Sequence, residues 1–228
     1  MVSGSLLSQK FEWAKQVGSS AGSDEVSALA STNSDNVIVG AGFFGGTLTG
    51  TASASGGKDV FVKGINKNGS VNFNPLHFIS TGANDAINDA IGSSNVTYVT
   101  GKLHGTLAVT NGSTNITGTY GAGSYFLAKV NASGNADWVV PSTNNLLSEG
   151  QAVAADAAGN IYVAGVYKGT MISGTDTIIS QGINNDIFIY KYNSSGLAQW
   201  LRSITGAGSE EIVSLDYDNS SSKLLVLG

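Results

Sequence analysis

Cysteine is absent from the 228-residue chain. Its absence excludes disulfide bonds, thiolate zinc sites and a cysteine nucleophile. Charge is also scarce, because only 12% of the residues are Asp, Glu, Lys or Arg, and the net charge is −5. No basic cluster is present, so the electrostatic signature of nucleic-acid binding is missing.

Long apolar runs are missing as well. No segment has the roughly 18 consecutive apolar residues of a membrane-spanning helix, so we expect no membrane span. The opening sequence, MVSGSLLSQKF, lacks the extended apolar stretch of a complete signal peptide. The richness in Gly, Ser, Asn and Thr, with few Lys and Glu, is nevertheless typical of bacterial surface or secreted proteins. We therefore expect an extracellular or cell-surface location.

One glycine motif occurs three times. The motif is Gly-x-x-x-Gly-Thr-apolar, and its three occurrences are GFFGGTL, GKLHGTL and GVYKGTM, which begin at Gly42, Gly101 and Gly165. These first glycines are 59 and 64 residues apart, and Gly228 lies 63 residues further on. A fixed period of this length indicates a repeat architecture. We interpret the first glycine as the end of a strand and the next three residues as a bend that leads into an insert.

Three further segments keep this period. Residues 60–70, 125–135 and 187–197 alternate apolar and polar residues and carry Asn-x-x-Gly near their ends. The pattern predicts a strand followed by a tight turn, because glycine adopts positive φ without steric cost. A large aromatic residue follows each turn, and a fourth precedes the first repeat: Phe73, Trp138, Trp200 and Trp13. Their regular spacing favours packing between repeats over sugar stacking.

Each repeat therefore contains four strands, which we name A to D. Strand A is small and apolar, strand B ends near the motif glycine, strand C precedes the turn, and strand D carries the aromatic residue. Four-stranded antiparallel units at a fixed period predict an all-β fold of β-propeller blades. The period of about 62 residues exceeds the roughly 40–50 of an ordinary four-stranded blade, and the excess lies in inserts between strands B and C.

We interpret the whole chain, 1–228, as a single β-propeller-type domain. Its repeats are placed at about 24–79, 80–142 and 148–204, with a partial repeat at 209–228 and strand D of a preceding repeat at 11–17. This order begins with strand D and ends after strand B, so we expect an incomplete ring. Open blade edges invite pairing with other strands, either by self-association or with the remainder of a longer chain.

The third repeat carries a family resemblance. Residues 148–167, SEGQAVAADAAGNIYVAGVY, combine a small apolar strand, Asp156, a Gly-Asn turn and Tyr-Val-x-Gly. This segment resembles the bacterial β-propeller repeat family abbreviated SBBP. The resemblance implies a blade of a large exported or surface protein in bacteria, a class mostly without known activity.

No motif supports a catalytic, cofactor or metal site. GAGFFG at 40–45 matches Gly-x-Gly-x-x-Gly, but the residues after it are poor helix formers, so we do not interpret it as a dinucleotide fingerprint. His77 and His104 have no sequence neighbours at triad or metal-site spacing, although a triad can assemble from residues distant in sequence. We therefore predict no cofactor, no metal and no enzyme activity.

One face of the propeller is the candidate binding surface. By up-and-down topology, the D–A connections and the B–C inserts share this face, whereas the Asn-x-x-Gly turns lie on the opposite one. The candidate ligand-binding residues are Phe43, Phe44, His104, Tyr167, Lys168, Asp24, Asp85, Glu149 and Glu210. Exposed aromatic residues among them would stack on a sugar or pack on a protein. The alternative is that they cover a small core of the insert, which we expect for Phe44.

Three functions are compatible with this interpretation. The first is a non-catalytic binding or structural scaffold module with an unknown carbohydrate or protein ligand. The second is a carboxylate-dependent glycan-active enzyme, which needs two carboxylates at a set separation. The third is a structural protein that assembles through open blade edges. The first two differ in whether two acids converge in one pocket or stay spread around a rim.

Overall fold

The structure, a computed structural model, describes residues 14, 16, 18–19, 21–32, 38–48, 52–55, 57–81, 83–110, 115–144, 146–173 and 175–228. None of these residues is helical, and most of them lie in strands. The predicted all-β fold is confirmed. The strand predicted at 11–17 falls largely outside the described residues, and Trp13 does so entirely.

Three antiparallel groups of four strands, which we call blades, follow one another along the chain. The insert of the second blade pairs with the last strand of the first, so these two blades share one eight-stranded sheet, whereas the third blade is a separate sheet. The first contains β1 (Glu25–Ser31), β2 (Ile38–Phe44), β5 (Asp59–Ile65) and β6 (Val71–Ser80). The second contains β7 (Ala86–Ser93), β8 (Val96–Thr110), β9 (Asn115–Val130) and β10 (Ala136–Pro141). The third contains β12 (Leu147–Ala155), β13 (Ile161–Lys168), β16 (Asp186–Tyr192) and β17 (Ala198–Ile204). A two-stranded unit, β18 (Ser214–Asp218) and β19 (Lys223–Leu227), follows them as strands A and B of a fourth repeat.

The A strands of successive blades, β1, β7, β12 and β18, lie against one another. Their small residues are buried: Ala28, Ala30, Ala90, Ala152 and Ala154. Hydrogen bonds also cross from one A strand to the next, since Ser27 Oγ donates to Ile87 O and Val153 N donates to Asp89 Oδ2 at 2.8 Å. Strand A is therefore the crowded strand that its small residues predicted.

The motif glycines do not have the predicted role of ending strand B. Strand B does not end at them, because β8 and β13 continue through the triplets that follow and β2 continues to Phe44, the second residue of its triplet. Each glycine instead lies opposite a bulge in strand A, where a Cβ at Gly42, Gly101 or Gly165 would come within 1.9 to 2.0 Å of a carbonyl oxygen. Such an approach leaves no room for a side chain. The triplets are thus strand residues rather than a bend.

The B–C inserts form additional strands, as predicted. In the second blade, β8 and β9 extend into the insert, and Leu107 of β8 pairs with Ser80 at the end of β6. In the third blade, the hairpin of β14 (Thr170–Ser173) and β15 (Asp176–Ile179) pairs with β11 (Thr143–Asn144), which follows β10. The first insert is the short hairpin of β3 (Thr47–Leu48) and β4 (Ala52–Ser53). Each of the two longer inserts therefore ties its own blade to the end of the blade before it.

The C–D connections are tight turns. Gly69, Gly134 and Gly196 close Asn-x-x-Gly turns with φ of 82°, 81° and 78°, the left-handed conformation that glycine adopts most readily. The strand D aromatic residue of one blade packs on the turn glycine of the next. Phe73 lies against Gly134, and Trp138 lies against Gly196. These contacts hold consecutive blades together.

Apolar and aromatic side chains fill the spaces between blades. Between the second and third blades, Tyr125 packs on Phe188 with ring centroids 4.9 Å apart. The Tyr125 hydroxyl donates to the hydroxyl of Tyr192 at 2.8 Å, so this buried polar group is satisfied.

Candidate functional site

Each predicted carboxylate lies in or shortly before strand A of a different repeat, and the structure does not gather the four together. They are Asp24, Asp85, Glu149 and Glu210. Asp24 is exposed and accepts hydrogen bonds from Ser19 N at 2.7 Å and Gly45 N at 3.4 Å. It therefore ties the residues before the first blade to the start of the first insert.

Glu149 is held by the neighbouring blade. Its Oε2 accepts a hydrogen bond from Lys102 Nζ at 2.9 Å, and its Oε1 accepts one from Asn88 Nδ2 at 2.8 Å. Both donors belong to the second blade, whereas Glu149 lies in strand A of the third. An ion pair that is partly exposed contributes at most about 1 kcal/mol. Its role here is to connect two blades.

Asp85 is buried rather than at the rim, with only 2% of its surface exposed. Its Oδ1 accepts a hydrogen bond from His104 N at 2.9 Å, and His104 Nδ1 lies 3.4 Å from the same oxygen. The structure thus brings together two residues that the sequence did not pair. Burial lowers the pKa of His104, and the nearby Lys102 charge lowers it further, so its imidazole is neutral at neutral pH.

The predicted exposure is wrong for Tyr167, whereas the expected burial of Phe44 is confirmed. Both are fully buried, Phe44 beside Phe61 and Tyr167 in the core that the second and third blades share. The physical reason is that the triplets continue strand B, so alternate side chains point into the blade packing. Phe43 points the other way and is partly exposed, with Lys58 Nζ 3.9 Å above its ring.

A further acid, Asp59, was not identified from the sequence. It is the first residue of strand C in the first blade and is fully buried. Its carboxylate accepts hydrogen bonds from Ser55 N at 2.6 Å and Ser80 N at 2.8 Å, and so joins the insert to the end of strand D. The signal available was the repeated Asp-x-Phe at the start of strand C, in KDVFVK and NDIFIY.

We call a seam pair the strand C residue that aligns with Asp59 in each repeat, together with the residue near the start of the next strand A that aligns with Asp85. The three seam pairs are Asp59 with Asp85, Ser124 with Ser148, and Asp186 with Glu210. The backbone is alike at the outer two, because Asp85 N donates to Lys58 O at 2.8 Å and Glu210 N donates to Asn185 O at 3.0 Å. The same junction is thus built once with two buried acids, once with two serines and once with a buried aspartate and a partly exposed glutamate.

Removing the strand C acid of the third blade is expected to destabilise the protein. Asp186 is fully buried and accepts hydrogen bonds from Gln181 N at 2.5 Å and Gly206 N at 3.3 Å. Asp186→Ala leaves these amides without their acceptor and should lower the free energy of unfolding by about 2 kcal/mol in urea titrations. The exposed control Asp216→Ala should change it by no more than about 0.5 kcal/mol. Equal effects of the two variants would contradict this role for Asp186.

The arrangement around His104 does not match a nucleophilic triad. In a triad the histidine stands between the acid and the nucleophile. Asp85 lies near Nδ1, whereas His104 Nε2 is near Gly123, which has no side chain. GAGFFG lies in and just after β2 and opens no helix. Across the described ranges, no group of three His, Asp or Glu side chains is arranged to hold a metal ion.

In the part of the chain that the structure describes, no helix is long and apolar enough to cross a membrane. Comparison with known proteins found no protein-family model and no curated protein sequence that matches this chain.

Proposed function

We propose that this chain is a non-catalytic scaffold module of an exported or surface bacterial protein, and that its insert-bearing face binds a protein partner. The observation that supports the proposal is that the acids on this face bond to other parts of the protein. Asp24, Asp59 and Asp85 accept hydrogen bonds from backbone amides, and Glu149 bonds to side chains of the preceding blade. These groups hold inserts and blades in place, which is the task of a scaffold.

Among the described residues, the third insert exposes three isoleucines on this face. Ile172, Ile179 and Ile183 are 42%, 70% and 79% exposed, and Lys168 lies at the start of the same insert. Exposed aliphatic side chains beside polar ones are typical of protein-binding surfaces. They provide no flat π-face for a sugar, and two of the three aromatic residues predicted for that task are buried. The surface therefore favours a protein ligand over a carbohydrate.

A glycan-active enzyme is less well supported. The two acids that converge are Asp59 and Asp85, which are 0% and 2% exposed. Glycoside hydrolysis requires both carboxyl groups to reach the sugar and a water molecule. Acids that are buried and bonded to backbone amides do not offer that access.

Substitutions that introduce or reverse a charge on the two faces test the proposal. After a ligand has been identified by affinity capture and its Kd measured by calorimetry, Ile179→Asp and Lys168→Glu should each weaken binding about tenfold, the loss of one good interface contact. Lys67→Glu, in a turn of the opposite face, should change Kd by less than about twofold.

The opposite pattern, with binding lost only in Lys67→Glu, would place recognition on the turn face. Binding to a glycan array that Phe43→Ala abolishes would favour a carbohydrate ligand. Capture of a second copy of the chain, with no other ligand found, would favour self-assembly through open edges such as β19, where Leu225 and Leu227 are exposed.

A further inference from the structure

The first seam pair places two carboxyl groups in a buried environment. Asp59 is 0% and Asp85 is 2% exposed, and the backbone places them side by side, because Asp85 N donates to the carbonyl oxygen of Lys58, the residue before Asp59, at 2.8 Å. Two buried, neighbouring carboxylates repel each other when both are ionised, and burial adds a penalty for each charge. A single proton shared between them removes the repulsion and supplies a hydrogen bond.

The surroundings of the pair supply little positive charge. His104 on β8 is the nearest basic group, and its pKa is lowered by burial. Lys102 on β8 is engaged with Glu149 of β12. Lys58, which precedes β5, directs its ammonium over the ring of Phe43. His77 on β6 is also buried, and burial lowers its pKa.

Three segments meet at this pair through backbone amides. Asp59 accepts from Ser55 N after the first insert hairpin and from Ser80 N at the end of β6, while Asp85 accepts from His104 N of β8. Charge at the pair therefore acts directly on the contact between the first and second blades.

We propose that the first seam pair is a pH-sensitive latch, in which one proton shared by Asp59 and Asp85 holds the first two blades together and is released to solvent water as the pH rises. The second seam pair performs the same junction with serines, where Ser148 Oγ accepts from Tyr125 N at 2.9 Å and bonds to Ser142 Oγ at 2.7 Å. A neutral junction is thus compatible with this backbone, and the paired acids add a response to pH.

The direction of the response follows from the carboxyl groups. Burial, with a smaller contribution from the charge of Asp59, raises the pKa of Asp85 to about 7, and burial also raises the pKa of Asp59. A group whose pKa is higher in the folded state stabilises the fold fully below its unfolded pKa of about 4, and this stabilisation is lost as pH rises through about 7. The latch is closed in mild acid and weakens toward neutral and alkaline pH.

Thermal unfolding of the full chain between pH 5 and pH 8 tests the latch. The double variant Asp59→Ser/Asp85→Ser copies the second seam pair. We expect the melting temperature of the wild type, relative to the double variant, to fall by about 5 °C across this range, because one proton is lost only from the wild type. A difference that stays constant with pH would overturn the proposal.

Carboxyl ¹³C NMR measures the titration midpoint of Asp85 directly. A purely structural role of the seam pair would not shift this midpoint. The Asp85 resonance should titrate with a midpoint near 7 in the wild type. The Asp59→Asn variant keeps one acceptor oxygen and removes one charge, so the midpoint of Asp85 should fall to a lower pH in this variant. A wild-type midpoint near the usual value for aspartate, about 4, would overturn the latch. So would an increase in melting temperature on adding calcium at pH 8 that the double variant lacks, since the pair would then be a cation site.

Discussion

Gly101→Ala is expected to lower the free energy of unfolding by about 3 kcal/mol, which is among the largest effects of adding one methyl group. The new Cβ would lie 1.9 Å from the carbonyl oxygen of Ala86 and 2.9 Å from Ile87 Cα. Both are backbone atoms of a bulged strand, so no side chain can rotate away to relieve the overlap. Urea titration followed by circular dichroism measures the loss.

Gly208→Ala is the matched control for this prediction. Its Cβ would meet only Glu210 Oε1, at the ordinary contact distance of 3.8 Å. We expect this variant to change the free energy of unfolding by less than about 1 kcal/mol. Gly165→Ala should behave like Gly101→Ala, because its Cβ would lie 2.0 Å from Glu149 O. Wild-type stability of Gly101→Ala would refute the close approach of strands A and B.

Tyr167→Ala is expected to lower the free energy of unfolding by about 4 kcal/mol, because it removes a fully buried aromatic side chain and leaves a cavity. The side chain belongs to the core shared by the second and third blades, and its hydroxyl lies 2.6 Å from Ser203 Oγ. Tyr167→Phe keeps the ring and loses only the hydrogen bond, so it should cost about 1 kcal/mol.

Lys168→Ala is the control for this second prediction, since it changes the adjacent, partly exposed residue. It should alter stability by no more than about 0.5 kcal/mol. A Tyr167→Ala protein with unchanged stability and reduced ligand binding would support the exposed, ligand-contacting side chain that the sequence alone suggested.

Much of the architecture was predictable because its signals are local. Alternating apolar residues specify strands, and Asn-x-x-Gly specifies turns, within segments of about ten residues or fewer. Their repetition identified three blades and a partial fourth, and the inserts after Gly42, Gly101 and Gly165 stood out as surplus length. The small residues of strand A also predicted close packing, because the size of a side chain follows directly from its residue type.

The candidate site was less predictable, because burial depends on which blade packs on which. The acids Asp59 and Asp85 belong to different repeats, and only the seam brings their carboxyl groups together. Phe43 and Phe44 are neighbours of the same residue type, yet one is partly exposed and the other fully buried. The direction of either side chain depends on the continuation of strand B past Gly42, which the repeated glycine motif did not indicate.

The sequence by itself therefore determined the strand order, the turns and the repeat, since these depend on contacts between residues close along the chain. The tertiary structure decided why each motif glycine is glycine, which aromatic residues are buried and which acids meet. Those features arise from contacts across bulges and seams, where the neighbouring atoms come from distant parts of the chain. A pattern of residue types does not specify the distances between such atoms. These distances are set by the packing of the blades.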